Sequence, residues 1–180
     1  MKKIALMLAL SLTVLGAQAA VVPAQSKLSF TFKQMGVPVE GGFSRFTTTL
    51  KYDPKAPQDG EVNVAVDLSS VNGGGDEASA ELKKAPWFDV KRFATATFAA
   101  KGFTPTGKNS YLAKGELTLK GKKLAVSIPF TATPATGGQF WLDGKTEIKR
   151  LSYGIGSGEW EDTGTVADEV QIRFKLLYKP

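Results

Sequence analysis

The chain has 180 residues, with 23 Lys and Arg against 17 Asp and Glu for a formal net charge of +6, 42% apolar residues, and neither Cys nor His. Without imidazole or thiolate there is no Ser-His-Asp or Cys-His nucleophile, no C-x-x-C-H haem attachment and no zinc site of the usual donor set. The balance of apolar and charged residues is that of one globular domain, not of a disordered or collagen-like chain.

The first segment in chain order reads as a targeting signal. Met1-Lys2-Lys3 is a short basic start, Ile4 to Leu15 is an apolar run of 12 residues, and Ala17-Gln18-Ala19 is an A-x-A cleavage site. The run falls short of the ~20 residues that cross a bilayer, and no Cys follows the cleavage site to carry a lipid. Residues 1–19 are expected to be removed on export to a bacterial periplasm. That leaves residues 20–180 as one soluble domain of net charge +4, large enough to bury its own core without disulfides. Its lysines stand singly (Lys27, Lys33, Lys51, Lys114, Lys145, Lys175) except at Lys120-Gly121-Lys122-Lys123. They read as solvated faces and guarded strand edges, with no nucleic-acid partner implied.

From there period-two alternation predicts one half-buried strand after another. Leu28, Phe30 and Phe32 alternate with Ser29, Thr31 and Lys33, and Val62, Val64, Val66 and Leu68 alternate with Asn63, Ala65 and Asp67. The pattern returns at residues 94–100, 111–119, 124–132, 140–148 and 166–178, with Asp168 the one break in the last apolar face. Turn clusters such as Asp53-Pro54, Gln58-Asp59-Gly60, Pro105 to Asn109 and Pro134 to Gly138 separate the runs. Seven or eight strands joined by short turns predict an antiparallel meander, closed as a barrel or stacked as a sandwich, and closure removes exposed edges.

One helix is expected. After Gly73-Gly74-Gly75, Asp76 can cap an N-terminus, Glu77 and Glu81 come early, Lys83 and Lys84 late, and Pro86 stops the run. Ala78 and Leu82 lie on one face and lead into Trp87-Phe88, so the segment reads either as a lid over an open end of the sheet or as a surface helix that completes the core.

Specific residues then resemble a known family. Phe30 to Val37, Gly41-Gly-Phe-Ser-Arg-Phe46, Pro86-Trp-Phe-Asp-Val90 with Phe93 to Phe98, Gly115 to Gly121, Tyr153 to Trp160 and Val166 to Val170 together resemble the YceI-like family of exported lipid-binding proteins, in order and spacing, over nearly all of residues 20–180. The resemblance implies an eight-stranded antiparallel lipocalin-like barrel. It implies a long-chain isoprenoid or similar lipid inside, a carrier or storage role, a homodimer, transient contact with a membrane surface, no catalysis, and no cofactor beyond the lipid. Two departures stand out. Gln34 occupies a position where many members have His, and Glu77 to Leu82 keeps only Leu82 of an Arg-Asp-x-His-Leu segment, so a different head group is expected.

Large apolar residues share the presumed inward faces with Ala94, Ala96, Ala113, Gly115, Ala132 and Gly144. The small residues either leave room for a ligand or accommodate taper and strand crossing. Joined to the resemblance, the first reading assigns ligand contact to Phe30, Phe32, Phe43 and Phe46 on the early strands, and to Leu82, Trp87 and Phe88 at the lid. It assigns contact further to Ala96, Phe98, Gly115, Leu117, Ile128, Phe130 and Phe140 on the middle strands, and to Tyr153 and Trp160 at the mouth. Two other function classes remain. Glu159 and Glu161, two apart, would sit about 6.5–7 Å apart on a strand, a separation that suits a glycoside hydrolase, although the glycines around them read as a loop. A cavity-free module binding another exported protein is the second.

Overall fold

The computed structural model describes residues 19–179, so the signal expected over residues 1–19 lies outside it apart from Ala19. Among the described residues the strands are β1 (Ala20–Val21), β2 (Lys27–Gln34), β3 (Val37–Phe43), β4 (Phe46–Lys51), β5 (Glu61–Asp67), β6 (Val71–Asn72), β7 (Thr95–Gly107), β8 (Ser110–Leu119), β9 (Lys122–Pro134), β10 (Phe140–Lys149) and β11 (Glu169–Lys179), with one α-helix, α1 (Asp76–Leu82). The sheet order is β4-β5-β7-β8-β9-β10-β11-β2-β3-β6, with β1 also on β11.

Eleven segments make the expected eight-stranded antiparallel barrel because three strands are bent. β1 and β2 both pair with β11 on either side of a turn at Pro23–Gln25. β3 runs into β4 through Ser44-Arg45, and β5 into β6 through the turn Leu68–Ser70. Since Phe43 pairs with Val71 while Phe46 pairs with Val66, the two bent strands match each other limb for limb, and the ends of the sheet order meet. Most outward side chains of the alternating strands are polar, with Leu112, Trp141 and Leu177 among the exceptions, and Lys123–Glu116 and Arg173–Asp143 pair across the outer face. That is the inverse of a membrane-spanning barrel, whose outer band is apolar.

Three boundaries differ from expectation. α1 starts at Asp76 itself, with Gly75 before it and no side-chain cap; Ser79 Oγ instead accepts from Gly73 N and donates to the Gly75 carbonyl. β7 runs on to Gly107 through a register shift after Ala100, where Gly102 has φ +73°. Last, β11 begins at Glu169 and not at Val166, because Asp168 Oδ1 accepts from Leu151 N and fixes the preceding loop.

The interior holds two apolar clusters. The one beneath α1 contains Phe30, Leu68, Leu82, Trp87, Phe88 and Ile148; the one at the opposite end contains Leu50, Phe103, Phe130, Leu142 and Tyr178, and Phe46 packs against both. Each such side chain contributes about 1.5–3 kcal/mol on burial.

Candidate functional site

Between the clusters runs a cavity of about 210 Å³. Its walls are the inward faces of the alternating strands. Of the residues singled out from the sequence, Phe30, Phe32, Phe43, Phe46, Leu82, Trp87, Phe88, Ala96, Phe98, Leu117, Ile128 and Phe130 border it, joined by Leu28, Val64, Val126, Ile148, Val170 and Ile172, which carry the same alternation signal. The polar residues among its neighbours are few: Ser29, Thr97, Thr146, Arg150 and Tyr178.

Gly115, Phe140, Tyr153 and Trp160 do not border the cavity. A Cβ on Gly115 would fall 2.3 Å from the Ala99 carbonyl oxygen and 2.8 Å from Phe98 Cζ, so the glycine is needed for the close approach of β7 and β8. Gly144 likewise seats a ring: it pairs with Phe174 on β11, and its Cβ would lie 2.4 Å from Phe174 Cζ. Smallness at these sites accommodates a neighbouring aromatic rather than a ligand. Ala94 is exposed outside the strand, and Ala132 is packed within the far cluster without reaching the cavity. Tyr153 is buried beside the α1 cluster, and burial pushes its hydroxyl pKa up.

A packed polar cluster sits towards each end of the barrel. Under α1, Arg150 is only 2% exposed and, among the described residues, has no carboxylate hydrogen-bonded to it. Its Nε donates to the Ala167 carbonyl, Nη1 to those of Ile155 and Gly156, and Nη2 to those of Trp160 and Val166. Five donors meet five carbonyls, so the guanidinium knots residues 150–167 over the cavity. Gly156, at φ +73°, leaves the space that Nη1 fills. Lys120 Nζ donates to the carbonyls of Ala85, Pro86 and Gly154, tying the Trp87 loop to the same knot, and desolvation lowers its pKa. Trp87 and Trp160 pack with ring centroids 5.3 Å apart, and both indole N–H groups are enclosed without a partner among the described residues. The sequence marked Trp87 but neither cation, since their partners are backbone groups. At the other end Tyr52 donates to or accepts from Tyr111 at 3.1 Å, and its ring packs edge-on to Tyr111 and tilted against Phe140.

The carboxylates considered for catalysis are not arranged as a strand pair. Glu159 and Glu161 lie exposed on a 3₁₀ turn, Gly158–Glu161, and Glu161 Oε1 accepts from Gly158 N. Gln34 is exposed at the end of β2, bridged to Val166 and away from the cavity. Among the described residues no three His, Cys, Asp or Glu side chains cluster so as to hold a metal ion.

Residues 20–178 match the sequence model of the YceI-like domain family. A UPF0312 protein of Shewanella baltica is 30% identical over 162 residues, 87% of this chain and 80% of its own length. One of Vibrio cholerae is 26% identical over 138 residues, 73% of each chain. Among solved structures, BcnA of Burkholderia cenocepacia is similar at a TM-score of 0.84 and 39% identity, covering 87% of this chain and 98% of its own. A polyisoprenoid-binding domain from Saccharophagus degradans, implicated in plant cell wall breakdown, shares the fold at a TM-score of 0.72 and 17% identity, covering 89% and 97%.

Proposed function

The chain belongs to the YceI-like domain family, and from that premise we propose that it carries or stores a long-chain isoprenoid, or a lipid of similar shape, inside the barrel after export to the periplasm. The observation that carries this reading is the apolar cavity running between the two core clusters. One water needs about 10–15 Å³ of such space, so the cavity takes roughly 15–20 atoms of water size, or about three to four isoprene units. Burial is worth ~0.8 kcal/mol per CH2, enough for tight binding of such a tail without a hydrogen bond. A small polar metabolite would find almost no partner on these walls and would lose a few kcal/mol of hydration. The Saccharophagus domain, described as polyisoprenoid-binding, agrees with this reading at the level of fold.

Native mass spectrometry and organic extraction of protein purified from the periplasm test the proposal. A co-purifying amphiphile with a long hydrocarbon tail is expected. Protein that carries no lipid and also fails to bind added geranylgeraniol would overturn it.

A further inference from the structure

The barrel wall is sewn unevenly on the two sides of its first strand, where the turn Pro23–Gln25 lifts the chain out of the sheet. On the β11 side the interruption is patched. Val22 N donates to the Leu177 carbonyl at 2.7 Å, and Leu177 N donates to Ser26 Oγ at 3.0 Å. On the β4 side, among the described residues, one backbone hydrogen bond joins the segment before β2 to β4: Ala19 N to the Leu50 carbonyl, 3.1 Å. From Phe46 to Thr49 this edge has no backbone ladder among the described residues; the ladder between β9 and β10 is also partial, pairing only Phe130–Pro134 with Phe140–Gly144.

Phe46 stands at that seam. It borders the interior cavity and also an outer groove formed with Pro23, Ser44, Arg45, Thr47 and Asp67. On the inner side, Thr48 Oγ1 and the Tyr178 hydroxyl are enclosed next to one another, and Tyr178 borders the cavity. On the outer side, Arg45 Nε donates to Asp67 Oδ2 and Nη2 to Ser69 Oγ, while Nη1 has no partner among the described residues. A donor able to meet a lipid's oxygen atoms therefore lies in the groove that Phe46 borders. The Arg150 knot and the Tyr52 stack occupy the two barrel ends. The cavity walls offer an oxygen-bearing head few partners, and burial without a hydrogen bond costs roughly 2–7 kcal/mol.

We propose that a lipid enters tail-first through the seam between β4 and the Pro23–Gln25 turn, with Phe46 as the gate, and that its hydrogen-bond-accepting head group rests in the groove at Arg45. The proposal rests on the carrier reading above and adds to it where the head lies and how the tail gets in.

The absence of Cys makes single-site labelling clean. Thr47→Cys in the groove, Glu159→Cys beside the knotted end and Lys55→Cys near the Tyr52 end, all at exposed positions, each receive a thiol-reactive fluorophore. The probe is stearic acid carrying a nitroxide either near its carboxylate or at its methyl end. The carboxylate-end nitroxide is expected to quench the label at position 47 more strongly than the methyl-end nitroxide does, with no such preference at 55 or 159. Phe46→Ala should load stearic acid severalfold faster than wild type and Phe46→Trp severalfold slower. Strongest head-end quenching at 55 or 159, or wild-type loading rates in both Phe46 variants, would overturn the portal while binding itself leaves the carrier reading standing. Failure of either probe to bind labelled protein that does bind geranylgeraniol overturns the portal alone; failure to bind geranylgeraniol as well overturns both.

Discussion

The Ala19 N–H donates to the Leu50 carbonyl at 3.1 Å, and its donor belongs to the residue immediately before the expected cleavage point. A chain that begins at Ala20 lacks this bond across the seam. Loss of one intramolecular hydrogen bond costs about 0.5–1.5 kcal/mol. A chain beginning at Ala20 is therefore expected to unfold at lower urea, and to take up stearic acid faster, than one beginning at Ala19. Identical uptake by the two would disconnect the bond from loading.

Arg150 supplies every N–H donor of its guanidinium to backbone carbonyls of residues 155–167. Arg150→Met leaves those carbonyls buried and unpaired, and stability is expected to fall by an amount on the order of 3–5 kcal/mol in chemical denaturation. Arg150→Lys offers three donors in place of five and should recover only part of the loss. A Met variant within about 0.5 kcal/mol of wild type, as expected of an ordinary surface change, would remove the guanidinium from its role as the knot.

Gly115 and Ala96 are both small residues on adjoining strands, yet they should respond in opposite ways. Gly115→Ala drives a Cβ toward the Ala99 carbonyl oxygen, and overpacking of this kind typically costs about 1–3 kcal/mol. Ala96→Phe projects into the cavity that Ala96 borders, so it should keep the fold and exclude lipid. Thermal midpoints after lipid removal, followed by lipid content after reloading, separate the two. Full lipid content in Ala96→Phe would place Ala96 away from the ligand.

Burial pushes the Tyr178 hydroxyl from 10.0 up to about 12. The unfolded chain releases this proton near its ordinary value and the folded chain holds it longer. The contribution is therefore fully present below pH 10 and is lost as pH rises toward 12, by about 1.4 kcal/mol per unit. Tyr52, also raised by burial and by its bond to Tyr111, acts in the same direction. Urea denaturation across this range should show stability falling with pH, less steeply in Tyr178→Phe. An unchanged alkaline slope in Tyr178→Phe would contradict the assignment.

Strand existence and the inward face were legible in the chain itself, because alternation such as Val62, Val64 and Val66 against Asn63 and Ala65 is a local property with a period of two. The single helix was legible from Gly75 to Pro86 for the same local reason, down to its acidic start, although the capping work passed to Ser79. Tertiary structure alone decided what those faces enclose. Whether a small inward residue makes room or seats a ring depends on its neighbour across the sheet, and Gly115 and Ala96 differ only in that respect. The bends at Ser44-Arg45 and Leu68–Ser70, which bring the ends of the sheet together, carry no period for a sequence to display. The Arg150 knot was equally invisible, since its partners are main-chain carbonyls that every residue possesses and only the path of the folded chain aims at one guanidinium.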